Sequence, residues 1–189
     1  MVSIIQLKQS IFDYTNHEIY IISAQWQKKR WGFIATWVIP LTLMGESRRF
    51  LIAVSPLNTT WPAIEHTREL AIQMLAQHQA ELVVPFGTTA SLHQDKFDGL
   101  QMNPRSHLPV IEGCVGYIES RVVAIIKSDQ APGRRLVISE SKKTVTTHTQ
   151  GKGNLIPLST RELPNLLSKS DLHTLAQYKQ QMHDSSYFS

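Results

Sequence analysis

The chain has 189 residues, 42% of them apolar and 18% charged, which suits one folded domain with a core and excludes an intrinsically disordered chain. The net charge is only +4, no dense lysine and arginine block marks a nucleic-acid-binding face, and no run of about 18 apolar residues could cross a membrane. The single cysteine, Cys114, excludes an internal disulfide, so we expect a soluble cytoplasmic protein with no nucleic-acid or membrane partner.

The first half of the chain consists of short apolar runs separated by turns. Residues 1–16 indicate a helical or irregular lead-in, and the apolar runs 19–24 and 50–54 predict buried strands. Between these runs, residues 31–43 predict one or two strands that are interrupted at Pro40, because proline has no N–H to donate to a sheet.

A helix start follows the second apolar run. Asn58, Thr59 and Thr60 are favoured N-cap residues, and Pro62 suits the first turn, so residues 61–67 predict a short helix. Exposed amides at its N-terminus would favour an anion such as a phosphate. An ordinary capped helix without a ligand is the alternative.

The second half of the chain predicts more strands and three helices. The predicted strands cover residues 70–75, 110–126, 136–139 and 143–149. The predicted helices cover residues 77–86, 163–167 and 172–182. The first of these helices should stop at Pro85, and Asp171 stands where a cap of the last one would be. The run 110–126 should bend where Gly113 and Gly116 remove side chains, and the polar segment 88–109 is long for a plain connection, as functional loops often are.

These elements amount to six or more short strands with two short helices inserted between them, followed by a helical tail. The strands are not regularly separated by long helices, which argues against a doubly wound parallel sheet. A mostly antiparallel barrel with helical insertions fits the pattern best.

The sequence lacks the common catalytic and metal-binding motifs. It has no phosphate loop, no dinucleotide-binding glycine pattern after a strand and no nucleophile elbow. The histidines have no metal-ligand spacing, so no metal site is expected, and Cys114 lies in an apolar run typical of a buried, inert thiol. Any catalysis would therefore depend on a bound cofactor.

One stretch stands out chemically, Trp31-Gly-Phe-Ile-Ala-Thr-Trp37. It follows the polar tip Gln27-Lys-Lys-Arg30, which suits a solvated hairpin turn. The stretch places backbone amides and a hydroxyl beside a flat aromatic face, a set of groups that can hold a flat polar heterocycle. The alternative is an amphipathic strand whose tryptophans fill a core.

Five stretches, in one order, resemble motifs of the flavin reductase-like family, the FMN-binding split-barrel proteins that include flavoredoxin. Gly32-Phe-Ile-Ala-Thr-Trp37 resembles the family's Gly-x-Thr-Ala-Ser-Trp, and Asn58-Thr-Thr-Trp-Pro-Ala-Ile64 resembles Ser/Asn-x-Thr-x-x-x-Ile. The run Ala71-Ile-Gln-Met-Leu-Ala-Gln77, with Leu82 and Phe86-Gly87 after it, is similar to a family stretch in which valine-asparagine-leucine is followed at intervals by Gln, Leu and Phe. Asp95-Lys-Phe97 with Gly99 matches Asp-Lys-Phe-x-Gly, and Leu108-Pro-Val-Ile-Glu-Gly113 resembles Pro-x-Leu-x-Gly-Ala. The resemblance covers about residues 19–140.

This resemblance implies a six-stranded antiparallel Greek-key split barrel, with short helical insertions, over residues 1–150. It also implies noncovalently bound FMN and a homodimer whose interface borders the flavin. The tail, residues 151–189, has no counterpart in these motifs, and we expect it to pack as helices on the barrel or on a partner subunit.

The resemblance further implies roles for matching positions. Along the isoalloxazine ring would lie Ile34, Ala35, Thr36 and Trp37, the first three partly through backbone groups. The ribityl-phosphate end would be held by Ser55, Asn58 and Thr60. The site would be closed from the long loop by Lys96 and Phe97. No catalytic residue is assigned.

Two departures from the family motifs bear on activity. Ile34 replaces the family's usual threonine, which removes a hydroxyl from the ring-facing strand. Gly133-Arg134-Arg135 stands where the family often has Gly-Asp-His, whose histidine is linked with reductase activity on nicotinamide nucleotides. The two arginines could instead meet a phosphate through bidentate hydrogen bonds.

Three functions are consistent with the sequence. The first is an FMN-dependent oxidoreductase that passes a hydride or electrons through the flavin, fed by NAD(P)H or by an electron-transfer protein. The second is a non-catalytic flavin-binding or electron-carrier module of the same fold, which the loss of Asp-His favours. The third is a small-molecule or nucleic-acid-binding barrel without flavin, for which the only support is the basic pI near 9.3.

Overall fold

A curled antiparallel sheet dominates the computed structural model, which describes residues 15–42, 47–88, 94–127, 134–147 and 155–184, with side chains as far as residue 178. The strands are β1 (Tyr20–Trp26), β2 (Lys29–Ala35), β3 (Val38–Pro40), β4 (Arg49–Val54), β5 (Glu69–Met74), β6 (Gly116–Lys127) and β7 (Arg135–Thr146). The α-helices are α1 (Trp61–Thr67), α2 (Val83–Thr88), α3 (Leu163–Leu166) and α4 (Lys169–Asp184), and a 3-10 helix (Gln77–Leu82) leads into α2. Most of the predicted lead-in and the connection 128–133 lie outside the described residues.

The sheet closes towards a barrel because its two edge strands are neighbours in the chain. The strand order is β2-β1-β5-β6-β7-β4-β3, and every paired neighbour is antiparallel. Only Thr36 and Trp37 connect β2 at one edge with β3 at the other. Three Cα steps span at most about 11 Å, so the edges must approach each other. The predicted mainly-β antiparallel split barrel is confirmed, with seven strands instead of six because β3 is a separate edge strand.

The strand ends at Pro40, as predicted, but a further break that the sequence did not indicate falls at Thr36 and Trp37. Pro40 ends β3 and pairs with Phe50 of β4. A proline is tolerated there because an edge strand has one side without a sheet partner. The predicted helix 61–67 is confirmed residue by residue as α1.

Two further boundaries differ from the sequence patterns. The strands predicted at 136–139 and 143–149 form one strand, β7, because β6 pairs with it along its whole length. The helix expected to stop at Pro85 continues to Thr88. Pro85 is the third residue of α2, in the first turn, where backbone N–H groups have no partner within the helix to lose.

The cap of α4 also differs from the prediction. Ser168 is the N-cap residue, and its Oγ accepts the backbone N–H of Asp171 at 3.1 Å. Asp171 is the third helical residue, and its carboxylate accepts the Ser168 hydroxyl at 2.7 Å. Ser168 thus caps the helix, and the Asp171 carboxylate orients the capping hydroxyl. None of the described helices has both the length and the apolar character that a membrane crossing needs.

Two apolar clusters lie on opposite sides of the sheet. The inner cluster fills the barrel with alternate strand residues and is plugged at one end by Trp61 and Ile64 of α1. The outer cluster lies beneath the 3-10 helix, α2 and the loop that carries Phe97. Strand β1 serves both, with Ile22 facing inward and Ile21 outward, each fully buried.

Candidate functional site

Strand pairing brings two of the predicted site segments together. Val38 at the start of β3 pairs with Ile52 of β4. Thr36 and Trp37, directly before Val38, therefore run beside the end of β4, where the loop starting at Ser55 begins. The connection between the two sheet edges and the loop before α1 thus form one region on the outside of the barrel.

The side chains of the predicted ring-binding segment point in different directions. Ala35 is buried in the inner cluster, whereas Ile34 packs outward into the second cluster. Thr36 is half-buried, and Trp37 has 56% of its surface exposed. Ile34 and Ala35 can therefore offer a ligand only their backbone groups, while Trp37 presents an open aromatic face.

The loop before α1 uses most of its amides within itself. The Ser55 carbonyl accepts the N–H of Asn58 at 3.0 Å, and the Asn58 carbonyl accepts the N–H of Trp61 at 2.8 Å. The Asn58 side-chain oxygen accepts the N–H of Thr60 at 2.9 Å. Pro62 has no N–H at all. The expectation of exposed helix-terminal amides for an anion is therefore wrong, and any anion here would depend on side chains.

Three polar side chains on this loop can donate to an anion. The Ser55 hydroxyl accepts the N–H of Leu57 at 3.3 Å, which leaves its own proton available for donation. The Asn58 amide nitrogen takes no part in the turn that its oxygen closes. Thr60 is fully buried, and its Oγ1 has no hydrogen-bond partner among the described residues. A buried hydroxyl without a partner is costly, which fits a group awaiting a polar ligand.

The sheet also places the two sequence-predicted arginines at this end of the barrel. Arg135 pairs with Val54, the residue before Ser55, and Arg134 precedes it. Both side chains are half-buried. Ser55, Asn58, Thr60 and the arginine pair thus surround one end of β4, and this donor set suits a phosphate.

Lys96, in a loop, contacts β2 at Gly32. Its Nζ donates to the carbonyl oxygens of Gly32 at 3.2 Å and Phe86 at 3.3 Å. Gly32 and Thr36 are four residues apart, about 13 Å along an extended strand. The Lys96 amine is therefore close to the ring-binding strand and distant from the loop at Ser55. Burial lowers the pKa of Lys96 to about 8.

This lowered pKa predicts a pH dependence of stability. Between about pH 8 and 10.5 the unfolded chain binds more protons at this lysine than the folded one, so its contribution makes stability rise with pH in that window. We expect the free energy of unfolding of the wild type, relative to Lys96→Met, to increase from pH 8 to 10 in urea denaturation. Lys29→Met, at an exposed lysine of β2, is the control and should give a smaller change; a flat difference for Lys96→Met would contradict the assignment.

Phe97 is fully buried, so its ring supports the loop from beneath and has no face open to a ligand. It packs edge-to-face on Phe86, with ring centroids 5.0 Å apart. A Cβ at Gly32 would lie 2.9 Å from Phe97 Cζ, so glycine is required where the loop crosses β2. The predicted role of Phe97 in closing the site can therefore only be indirect, through the position of Lys96.

Two contacts near the site were not foreseen from the sequence. Arg30, interpreted as part of a solvated tip, forms an ion pair with Asp95 and lies 5.8 Å from the Phe97 ring centroid. Leu175 of α4 approaches Gly87 and Ile34, and so covers the outer side of β2. For the Arg30 contact, the sequence offered one signal, a charged side chain two residues before Gly32. The second depends on how the tail folds back.

Other reactive groups lie elsewhere. Cys114 is fully buried, and burial raises the pKa of its thiol to about 11, as suits an inert thiol. The described part of the chain contains no group of three His, Cys, Asp or Glu side chains that could hold a metal ion.

Comparison with solved structures shows the same fold in several other proteins. The matches include nitrilotriacetate monooxygenase component B from Mycobacterium thermoresistibile (20% identity, 77% of this chain and 75% of that one, TM-score 0.64). Two others are the NADH:FAD oxidoreductase SgcE6 of Streptomyces globisporus (15%, 72% and 74%, 0.61) and an FMN-binding protein from Thermus thermophilus (14%, 72% and 74%, 0.62). At these identities the likeness concerns the fold alone.

Sequence comparison is more specific. A search of curated proteins gave no match. Residues 12–158, well over half of the chain, match the domain family described as flavin reductase like. That range contains every predicted site residue and ends just before α3. The chain therefore belongs to the flavin reductase-like domain family.

Proposed function

We propose that this protein binds FMN and acts as a flavin reductase-like oxidoreductase. The observation that carries the proposal is the convergence of the Thr36–Trp37 connection with the Ser55–Thr60 loop, where a buried hydroxyl has no partner among the described residues. Family membership supports a flavin as the ligand, and the FMN-binding relative from Thermus thermophilus supports FMN.

In this proposal the chain's residues bind and orient the cofactor. Ser55, Asn58 and Thr60 donate to the phosphate, with Arg134 and Arg135 supplying positive charge at the same end of β4. Backbone groups of residues 34–36 and the ring of Trp37 hold the flat ring system. The bound flavin would supply the redox chemistry by accepting and passing on a hydride or electrons.

The Thr60 hydroxyl provides a specific test. We expect Thr60→Val to raise the FMN dissociation constant about tenfold or more, because a hydrogen bond to a charged phosphate contributes roughly 1.5–3 kcal/mol. Titration followed by flavin fluorescence measures it. Thr174→Val, on an exposed turn of α4, is the matched control and should bind FMN like the wild type. Equal affinities for the two variants would remove Thr60 from the site.

A visible absorption spectrum tests the function itself. Protein incubated with FMN or FAD and then freed of unbound ligand should retain flavin bands, more strongly with FMN. Without oxygen, bleaching on addition of NADH or NADPH would establish a nicotinamide-fed reductase. Bands that persist would favour the alternative of a flavin-binding or electron-carrier module, since Gly133-Arg134-Arg135 replaces the family's Gly-Asp-His. Absence of bands would contradict flavin binding altogether.

We also propose a homodimer. Trp37, Ile39 and Leu41 alternate on the edge strand β3 and its flanks, and their side chains are 56%, 51% and 47% exposed. Apolar side chains clustered on an exposed edge are typical of an interaction surface, and a second copy at this edge would border the Trp37 end of the candidate site. Light scattering should give twice the mass of the 21.5 kDa chain, and Ile39→Glu should shift it towards the monomer. A monomeric wild type would contradict the proposal.

A further inference from the structure

The barrel has an open cavity at the end away from Trp61. It has a volume of about 360 Å³ and lies on the inner face of the sheet, between the end of β5 and the start of β6. Its walls include Tyr20, Phe50, Ile72 and Ile118. None of the residues assigned above to the candidate flavin site lines it, and it adjoins that site, because Tyr20 pairs with Ala35 and Val38 follows Trp37.

The cavity has room because a glycine and two threonines, Gly116, Thr144 and Thr146, stand among the larger side chains of its walls. Gly116 has no side chain, and a Cβ there would lie 2.8 Å from the backbone oxygen of Val145, so the close approach of β6 and β7 requires glycine. Thr146 pairs with Gly116, and Thr144 pairs with Ile118. At the opposite end the interior is filled by Trp61 and Ile64. The strands thus enclose a space that their own side chains leave unfilled.

The walls are apolar, and the few polar groups are placed around them. Tyr20 is partly buried against the inner cluster, and burial together with nearby Glu18 raises the pKa of its phenol to about 12. Its hydroxyl therefore stays protonated at neutral pH and can donate. Among the described residues that line the cavity, Arg48 is the only charged one. Its backbone is fixed to Ser141 by two hydrogen bonds, of 3.0 and 2.8 Å, while the residue as a whole is exposed.

We propose that this barrel mouth binds a small aromatic carboxylate, with its ring between Tyr20, Phe50 and Ile72 and its acidic group at Arg48. An apolar cavity of about 150 Å³ is enough for benzene, so this one has room for two fused rings or one substituted ring. Apolar walls with few polar groups are the usual composition of a small-molecule site. The lone arginine selects an anion, because guanidinium groups match carboxylates through paired hydrogen bonds.

The test uses 2-naphthoate as the probe and 2-naphthalenemethanol as its neutral counterpart, titrated calorimetrically into protein saturated with FMN. We expect one naphthoate per chain. Arg48→Gln should weaken naphthoate about five- to tenfold and leave the alcohol unchanged. Thr146→Trp, which fills the mouth, should weaken both at least tenfold. Thr174→Trp places the same substitution on exposed α4 and should change neither, and Thr144→Phe replaces Thr146→Trp if that variant does not fold.

Three results would overturn the inference. Equal affinity in the two tryptophan variants would place the probe outside the barrel mouth. An Arg48→Gln variant that binds naphthoate like the wild type would remove anion recognition. Displacement of naphthoate by FMN would show that the cavity is part of the flavin site. The same titration of flavin-free protein does not depend on the proposed flavin function, so failure of one proposal can be told from failure of the other.

Discussion

Replacing Phe97 by alanine should lower the free energy of unfolding by about 3–5 kcal/mol, the usual cost of removing a buried phenylalanine ring. The ring is fully buried and packs against Phe86 and Gly32, so its removal leaves a cavity beside β2. Since the ring anchors the loop that carries Lys96, we also expect the lysine to lose its hydrogen bonds to Gly32 and Phe86. Urea denaturation measures the first effect, and the pH dependence of stability measures the second.

Two comparisons make this prediction specific. Leu57→Ala removes an apolar side chain that is 64% exposed, and should change stability by no more than about 0.5 kcal/mol. Gly32→Ala should be destabilising alone, because its Cβ would meet the Phe97 ring, and should cost less when combined with Phe97→Ala. If the two changes add without coupling, Phe97 does not pack on Gly32.

Gln73→Leu should cost about 2–4 kcal/mol, because one amide side chain satisfies three buried groups. Its Nε2 donates to the Ser23 hydroxyl and to the Pro109 carbonyl, both at 2.9 Å. Its Oε1 accepts the backbone N–H of Ile111 at 2.7 Å. Leucine has a similar volume but leaves that N–H buried without a partner. The loop around Pro109 should then separate from the outer face of β5.

Amide hydrogen exchange distinguishes this mechanism from a general loss of stability. The N–H of Ile111 should exchange much faster in Gln73→Leu than neighbouring amides of β5, which keep their sheet bonds. Gln25→Leu, the same substitution at an exposed position of β1, is the control and should be nearly neutral. Uniform acceleration of all amides would indicate that Gln73 contributes nothing local.

The sequence predicted the class of fold from local signals. Alternating and apolar runs located β1, β4 and β5, and the Asn58–Pro62 pattern located α1 residue by residue. The sequence prediction failed where pairing with a neighbouring element decides at which residue a strand ends. β6 pairs with β7 along its whole length and so makes one strand of two predicted ones. The boundary between β2 and β3 could not be read from the sequence either. At Thr36–Trp37 the chain passes from one edge of the sheet to the other, and no proline or glycine marks this break.

For the candidate site, too, local sequence and tertiary structure gave different information. The order of the family motifs gave the predicted residues of the Thr36 and Ser55 segments, and their part in flavin binding stays a prediction. Tertiary structure decided what those residues can do. It showed that Asn58 uses its oxygen within the loop, that Thr60 is buried with no partner among the described residues, and that Phe97 supports the site only from beneath.

Composition and strand periodicity by themselves thus determined that this protein is a mainly-β barrel, since these properties depend on residues close in sequence, whereas the flavin site stays a prediction from the family resemblance. Which polar residues are buried depends on contacts between distant segments. Gln73 appears in the sequence as an ordinary polar strand residue, yet the loop that packs on it makes it a central buried amide. Gly116 likewise became the reason for an open barrel mouth only once β7 was placed beside it.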